Sequence, residues 1–120
     1  MTPRLSAALA LAALIAGCGS QPVPYDSYEA MAAKLKGTAA ECQSLEQAPL
    51  KEFDLADERY NCATRSGTIV LAKYLLPKIR EEDQAKWKGK LVVGPNWIVD
   101  VTAAPALAET VADTLNGETS

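Results

Sequence analysis

Histidine is absent from this chain of 120 residues, and its absence excludes several chemistries at once. Histidine is the most frequent general base in enzymes and a very common zinc ligand. Without it, no Ser–His or Cys–His nucleophile pair can form. Aromatic residues are also scarce, at 6% of the sequence, and the formal net charge is −3. That acidic balance disfavours nucleic acid as a partner, because nucleic-acid binding requires clustered lysine and arginine.

Long hydrophobic runs are lacking as well, apart from one at the N-terminus. It extends from Leu5 to Ala16 and is interrupted by a single serine. A membrane-spanning helix needs about 20 residues, so this run is too short to cross a bilayer. Its length and the preceding Arg4 are typical of a signal peptide. A secretory signal cleaved after a small residue and a buried helix are the alternative interpretations.

The run ends in Leu14-Ile15-Ala16-Gly17-Cys18, which resembles the lipobox of bacterial lipoproteins. The resemblance implies cleavage before Cys18 and lipidation of its sulfur, and therefore a protein held on the extracytoplasmic face of a cell membrane. We accordingly interpret residues 1–17 as a lipoprotein signal peptide and residues 18–25 as the lipidated cysteine with a short tether. Residues 26–116 are then a single domain, and residues 117–120 are a disordered tail.

Cys42 and Cys62 are the two other cysteines. Outside the cytoplasmic membrane they lie in an oxidising compartment, so we predict a disulfide between them. Closing a loop of roughly 20 residues stabilises a small domain by about 3 kcal/mol in the chain-entropy model. A redox pair, usually spaced C-x-x-C, and a zinc site, which needs four ligands, fit the spacing less well.

Hydrophobic periodicity predicts alternating helices and strand pairs. A first helix begins near Asp26 and Glu29, which form a capping-box-like pair, and ends at Gly37. Residues 60–64 and 68–75 form a strand pair, and a helix follows from Pro77 to Trp87 or Lys88. Residues 90–93 and 97–101 form a second pair, and a last helix ends before Gly117. Residues 38–57 are predicted as loop, with room for a short strand or turn. The sum is an α+β fold, with a small four-stranded antiparallel sheet, about three helices on one face and one disulfide.

Asn96, Trp97 and Trp87 are the candidate binding residues. Trp97 follows a predicted turn and could stack on a ligand or anchor a partner, since tryptophan is enriched in binding hot spots. The structural alternative, which we favour, is a core tryptophan entering a strand beside turn residues. Trp87 lies among Lys86, Lys88 and Lys90 and could contact lipid headgroups. The structural alternative, which we favour, is a half-buried tryptophan at a helix end, covered by lysine stems.

Acidic residues cluster twice, but neither cluster predicts a metal centre. Glu81, Glu82 and Asp83 are consecutive on a helix and point in different directions, so we predict a solvated face. The second cluster comprises three loop carboxylates, which lack the glycine turn and alternating spacing of a calcium loop: Asp54, Asp57 and Glu58. We therefore predict no metal and no cofactor.

The segment Gly94-Pro95-Asn96-Trp97-Ile98-Val99, together with the lipobox, an early helix, two cysteines and a final alanine-rich helix, resembles small actinobacterial and actinophage lipoproteins. That resemblance covers most of the chain after Cys18. It implies a fold and a location at the membrane, and it supplies no activity and no catalytic residue.

The sequence thus predicts a non-catalytic, lipid-anchored binding or interaction module of the cell envelope. Its expected partner is an envelope protein or polymer, and the membrane is contacted through the lipid on Cys18. Two alternatives remain open. One is a phage- or prophage-encoded lipoprotein that excludes superinfecting phage, and the other is a small-ligand carrier, although about 100 residues can barely enclose a cavity beside a core.

Overall fold

A computed structural model describes residues 21–50 and 55–120. The predicted signal peptide, Cys18 and Asp54 lie outside the described residues. Within the described part are three α-helices, α1 (Tyr28–Leu35), α2 (Pro77–Gln84) and α3 (Ala108–Leu115), with a 3₁₀ turn at Pro105–Leu107 before α3. The strands there are β1 (Ser44–Gln47), β2 (Glu58–Thr64), β3 (Gly67–Lys73), β4 (Leu91–Gly94), β5 (Trp97–Asp100) and β6 (Glu118–Thr119).

All six strands form one antiparallel sheet in the order β1-β2-β3-β5-β4-β6. The two predicted strand pairs are the hairpins β2–β3 and β4–β5, which join through β3 and β5. The mixed α+β class is therefore confirmed. The predicted number of four strands is wrong, because one further strand pairs with each outer edge of this four-stranded unit.

Neither outer strand carries a hydrophobic signal. All four residues of β1 are exposed, and both residues of β6 are exposed and polar. Their backbone bonds to the neighbouring strands place them, with the Ser120 N–H donating to the Leu91 carbonyl at 2.8 Å. Residues 117–120, predicted as a disordered tail, thus include a short strand that covers the edge of β4. Sheet edges carry unpaired backbone groups, which explains why a polar segment is held there.

The sheet separates two apolar layers. On one face, Cys62, Ile69, Leu71, Val99 and neighbours pack against α1 and α3. On the other face, a smaller cluster joins Ala72, Tyr74 and Ile98 to residues of α2 and its C-terminal extension. The prediction of all helices on one face is therefore wrong. The central strands β3 and β5 are apolar on both sides, and α2 buries the second side.

The helix boundaries follow local chemistry. Ser27, rather than Asp26, caps α1, because its Oγ accepts from the Ala30 N–H at 3.1 Å. Pro77 occupies the first turn of α2 as predicted. Helix α3 ends at Asn116, which adopts the left-handed conformation with φ of 57°. Asparagine tolerates this conformation better than most residues.

Candidate functional site

The segment Val23–Tyr25, which precedes α1, is fastened to the body of the domain. The Val23 N–H donates to the Asn116 carbonyl at 3.0 Å. The Asn96 side chain makes two bonds to Tyr25: its Oδ1 accepts from the Tyr25 N–H at 3.0 Å, and its Nδ2 donates to the Tyr25 carbonyl at 2.7 Å. The domain therefore begins three residues earlier than predicted, and Asn96 serves the fold.

Trp97 is fully buried in the larger core. Its Nε1–H donates to the Val23 carbonyl at 2.7 Å, and its ring meets Tyr25 edge-on with centroids 6.0 Å apart. A Cβ added at Gly94 would lie 2.1 Å from the indole, and one at Gly117 would lie 2.3 Å from it. Because glycine has no Cβ, both positions leave the space that the indole ring occupies. The prediction that Asn96 and Trp97 are binding residues is thus corrected. Both side chains are engaged within the protein, and Trp97 has no exposed surface.

Trp87, the third candidate, belongs to a polar cluster on the smaller apolar layer. Its Nε1–H donates to Asp83 Oδ2 at 3.0 Å, and the same oxygen accepts from the Tyr74 hydroxyl at 2.5 Å. The Arg59 guanidinium lies over the Trp87 ring, 4.7 Å from its centroid. Asp83 is 3% exposed, so its predicted place on a solvated face is wrong. Both donors bind the same carboxylate oxygen, and the bond from Tyr74, which directly follows β3, holds α2 against the sheet.

Of the other acidic candidates, Asp57 and Glu58 are engaged in the fold, whereas Glu81 and Glu82 are exposed as predicted. Asp57 forms a salt bridge with Lys73 at 2.8 Å, which raises the pKa of that lysine chiefly through the hydrogen bond. Glu58 Oε1 accepts from the Tyr28 N–H at 2.9 Å. In residues 21–50 and 55–120, no group of three or more histidine, cysteine, aspartate or glutamate side chains converges as metal ligands would.

Tyr28 and Tyr60 stack where α1 begins over β2. Their ring centroids are 3.5 Å apart, with planes inclined by 11°. The hydrogen bond to Tyr60, with smaller contributions from burial and nearby carboxylates, raises the pKa of Tyr28 to about 12. This stack joins the helix layer to the sheet and remains partly exposed.

The predicted disulfide between Cys42 and Cys62 is present. It fixes the loop that follows α1 to the buried face of β2, where Cys62 is fully enclosed. Within that loop the Thr38 hydroxyl donates to the Leu35 carbonyl at 2.7 Å, and Glu41 Oε1 accepts from the Gly37 N–H at 2.9 Å. The loop is therefore held by its own bonds as well as by the disulfide.

A polar cleft of about 440 Å³ opens beside this loop. The second wall is the two-residue turn between β2 and β3, and the lining residues are Gly37, Thr38, Ala39, Glu41, Gln43, Arg65 and Ser66. The turn is fixed because the Thr64 hydroxyl donates to the Gly67 carbonyl at 2.7 Å and accepts from the Ser66 N–H at 3.1 Å. We call this feature the distal cleft.

The distal cleft offers charged and hydrogen-bonding groups. Arg65 is exposed, and its guanidinium has no ion pair or hydrogen bond with any described residue. Thr38, Gln43 and Ser66 add hydroxyl and amide groups at the rim. A free guanidinium beside such groups suits a carboxylate, phosphate or sugar-bearing ligand. None of these residues was predicted as a site residue, because the sequence of each half of the cleft is typical of an ordinary polar turn.

The distal cleft and the docked N-terminal segment lie at opposite ends of the sheet. The cleft is at the Thr64–Gly67 end of the β2–β3 hairpin, whereas Asn96 and Val23 are beside the other end, where Lys73 pairs with Trp97. At about 3.3 Å per strand residue, the six steps from Gly67 to Lys73 separate the two ends by roughly 20 Å. The N-terminal chain therefore leaves the domain on the side facing away from the cleft.

No described helix is both long and apolar enough to cross a membrane. Comparisons with protein-family models, with curated proteins and with solved structures each found no match.

Proposed function

We propose that this chain is a lipid-anchored, non-catalytic binding module of the bacterial cell envelope, with the distal cleft as its binding surface. The observation that supports the proposal is that the N-terminal segment and the distal cleft lie at opposite ends of the sheet. The chain that leads back to Cys18 departs at one end, and a polar cleft opens at the other, lined by an arginine with no hydrogen-bond or ion-pair partner among residues 21–50 and 55–120. An anchored domain of this shape presents its cleft away from the lipid.

The proposed location rests on two independent features. The Leu14-to-Cys18 segment resembles a lipobox, and two acyl chains, at about 0.8 kcal/mol per buried CH₂, anchor a protein stably. The Cys42–Cys62 disulfide supports an oxidising compartment, since disulfides are rare in the cytosol. Both features are consistent with the extracytoplasmic face of a membrane.

The proposed ligand is an anionic or hydroxyl-rich group on an envelope protein or polymer. Arg65 supplies the charge, and the backbone of the Gly37–Glu41 loop supplies a surface that the disulfide holds in place. An apolar small ligand fits less well, because polar and charged side chains dominate the rim. The absence of histidine from the whole sequence agrees with binding without catalysis.

Labelling with an alkyne fatty acid in a lipoprotein-processing bacterium tests the anchor. We expect label on the full-length chain and none on Cys18→Ala. The Cys42→Ser/Cys62→Ser variant is the matched control and keeps its label, because it changes the other two cysteines. Equal labelling of the wild type and Cys18→Ala would contradict the anchor.

Site-specific photocrosslinking in cells tests the cleft. A photoreactive residue replaces Ser66 at the rim, and the control replaces the exposed Glu81 on α2. We expect a discrete adduct with one envelope component from position 66 alone, and its loss when Arg65→Glu is added. Identical adducts from both positions would show that the cleft is not the binding surface.

A further inference from the structure

We propose that Leu50, Leu75 and Leu76 form an apolar tip that enters the interfacial region of the bilayer beside the lipid anchor. This inference rests on the proposed lipidation of Cys18 and adds a second, independent contact with the membrane. A single flexible attachment would leave the domain free to tumble, whereas two contacts fix its orientation.

The three leucines are exposed to an unusual degree for their type. Leu75 is 69% exposed, Leu76 is 57% exposed and Leu50 is 44% exposed, whereas most large apolar residues of the described part are buried. Adjacent exposed leucines in a rigid connection form a patch, and apolar patches on soluble surfaces commonly mark contacts with membranes or proteins. Pro77 follows at the first turn of α2 and restricts the backbone of this connection.

The tip lies at the end of the sheet from which the N-terminal chain departs. Leu75 directly follows Tyr74, whose N–H donates to the Asn96 carbonyl at 2.8 Å. The side chain of the same Asn96 holds Tyr25. Leu50 is two residues beyond Ala48, whose N–H donates to the carbonyl of Arg59 near the start of β2, at the same end.

The covalent reach of the anchor places the membrane at this end. Val23 is five positions after Cys18 and is the first described residue whose N–H bonds to the domain body. At about 3.3–3.6 Å for each extended residue, the lipidated sulfur lies within roughly 20 Å of Val23. The anchor is therefore attached at the end of the sheet that carries the apolar tip, and the distal cleft lies about 20 Å farther along the strands.

Charge does not explain the contact, so burial of the leucines must supply it. Lys78 follows the tip and can approach lipid phosphates, but Lys73 is already paired with Asp57, and the chain as a whole is acidic. We therefore expect membrane seating that persists at high salt, since screening weakens attraction between exposed charges and leaves apolar burial in place.

Depth-dependent quenching in vesicles tests the tip. Full-length, lipidated protein is reconstituted into phosphatidylethanolamine–phosphatidylglycerol vesicles with brominated acyl chains, which quench tryptophan on contact. Leu76→Trp reports on the tip, and Ser66→Trp is the matched control at the distal cleft. Flotation of the wild type in the same vesicles reports separately on the anchor, and circular dichroism confirms that both variants fold.

We expect brominated lipid to reduce the added emission of Leu76→Trp about twofold or more, at both 0.1 and 1 M salt, and to leave that of Ser66→Trp unchanged. Flotation without quenching at position 76 would overturn the apolar tip while leaving the anchored module intact. Failure of the wild type to float would overturn the anchor, and the tip with it. Equal quenching at both positions would overturn the proposed orientation.

Discussion

Asn96 binds both backbone polar groups of Tyr25, a residue 71 positions away in sequence. The amide oxygen accepts from the Tyr25 N–H, and the amide nitrogen donates to the Tyr25 carbonyl, so one side chain does what a neighbouring strand would do. Through this pair, the turn between β4 and β5 holds the segment that leads to the proposed anchor. The turn thereby links the N-terminal segment Val23–Tyr25 to Trp97, the core residue that directly follows Asn96.

Asn96→Ala should destabilise the domain by about 1–3 kcal/mol, because two hydrogen bonds of about 0.5–1.5 kcal/mol each are lost. Urea unfolding followed by tryptophan fluorescence measures the change. Limited proteolysis should also cut near Tyr25 faster in the variant. The matched control is Asn61→Ala on β2, whose side chain makes no hydrogen bond with the described residues and should change stability by about 0.5 kcal/mol or less. Equal effects at both positions would contradict the role of Asn96.

Much of the central fold could be predicted, because alternation marks strands that bury one face. Trp97 and Val99 alternate with Ile98 and face the same core, and both belong to the predicted hairpin β4–β5. The strands β1 and β6 could not be predicted in this way. Their side chains are exposed, and backbone bonds to an existing edge, which leave no trace in composition, determine their positions.

The polar features were harder to predict because their partners are distant in sequence. In sequence, Asp83 is one of three consecutive carboxylates and resembles a solvated residue. In the structure, the hydroxyl of Tyr74, which directly follows β3, donates to it. One local signal was present: Asp83 and Trp87 are four residues apart, a spacing that brings side chains together on a helical turn. The distal cleft has no such signal, since Arg65 and the Gly37–Glu41 loop are far apart in sequence and line one cleft only in the folded domain.

Loss of the Cys42–Cys62 disulfide should lower the stability by roughly 3 kcal/mol, because it closes a loop with a sequence separation of 20. For a domain of this size, the melting temperature of the Cys42→Ser/Cys62→Ser variant should fall by about 10–20 °C under oxidising conditions. Differential scanning calorimetry measures this, and reduced wild type should melt close to the variant. Unchanged melting of the oxidised variant would contradict a stabilising disulfide.

Asp83→Ala should cost about 2–4 kcal/mol, since it removes the acceptor shared by Tyr74 and Trp87 from a buried site. Asp83→Asn keeps one carbonyl oxygen and should cost less. The neighbouring Glu82→Ala is the control, because Glu82 is exposed on the same helix and its loss should change stability by about 0.5 kcal/mol or less. Urea unfolding gives the three values, and a neutral Asp83→Ala would show that the buried carboxylate does not hold α2 to the sheet.

Tyr28 should make the stability of the domain fall at alkaline pH. Its pKa in the folded protein is about 12, with the Tyr60 hydrogen bond as the largest cause, whereas an unfolded tyrosine titrates near 10. Below about pH 10 both states keep the proton and the contribution is fully present. Between about pH 10 and 12 the unfolded chain loses this proton first, so the free energy of unfolding decreases.

Tyr28→Phe keeps a ring for stacking on Tyr60 and removes the titrating hydroxyl. Across pH 10–12 the variant should therefore lose less stability than the wild type, as measured by urea unfolding at a series of pH values. Absorbance at 295 nm should also lack the tyrosinate component that appears near pH 12 in the folded wild type. Because Tyr25, whose pKa burial also raises, is present in both proteins, the difference between them isolates Tyr28. Parallel pH profiles for the two proteins would contradict a raised pKa for Tyr28.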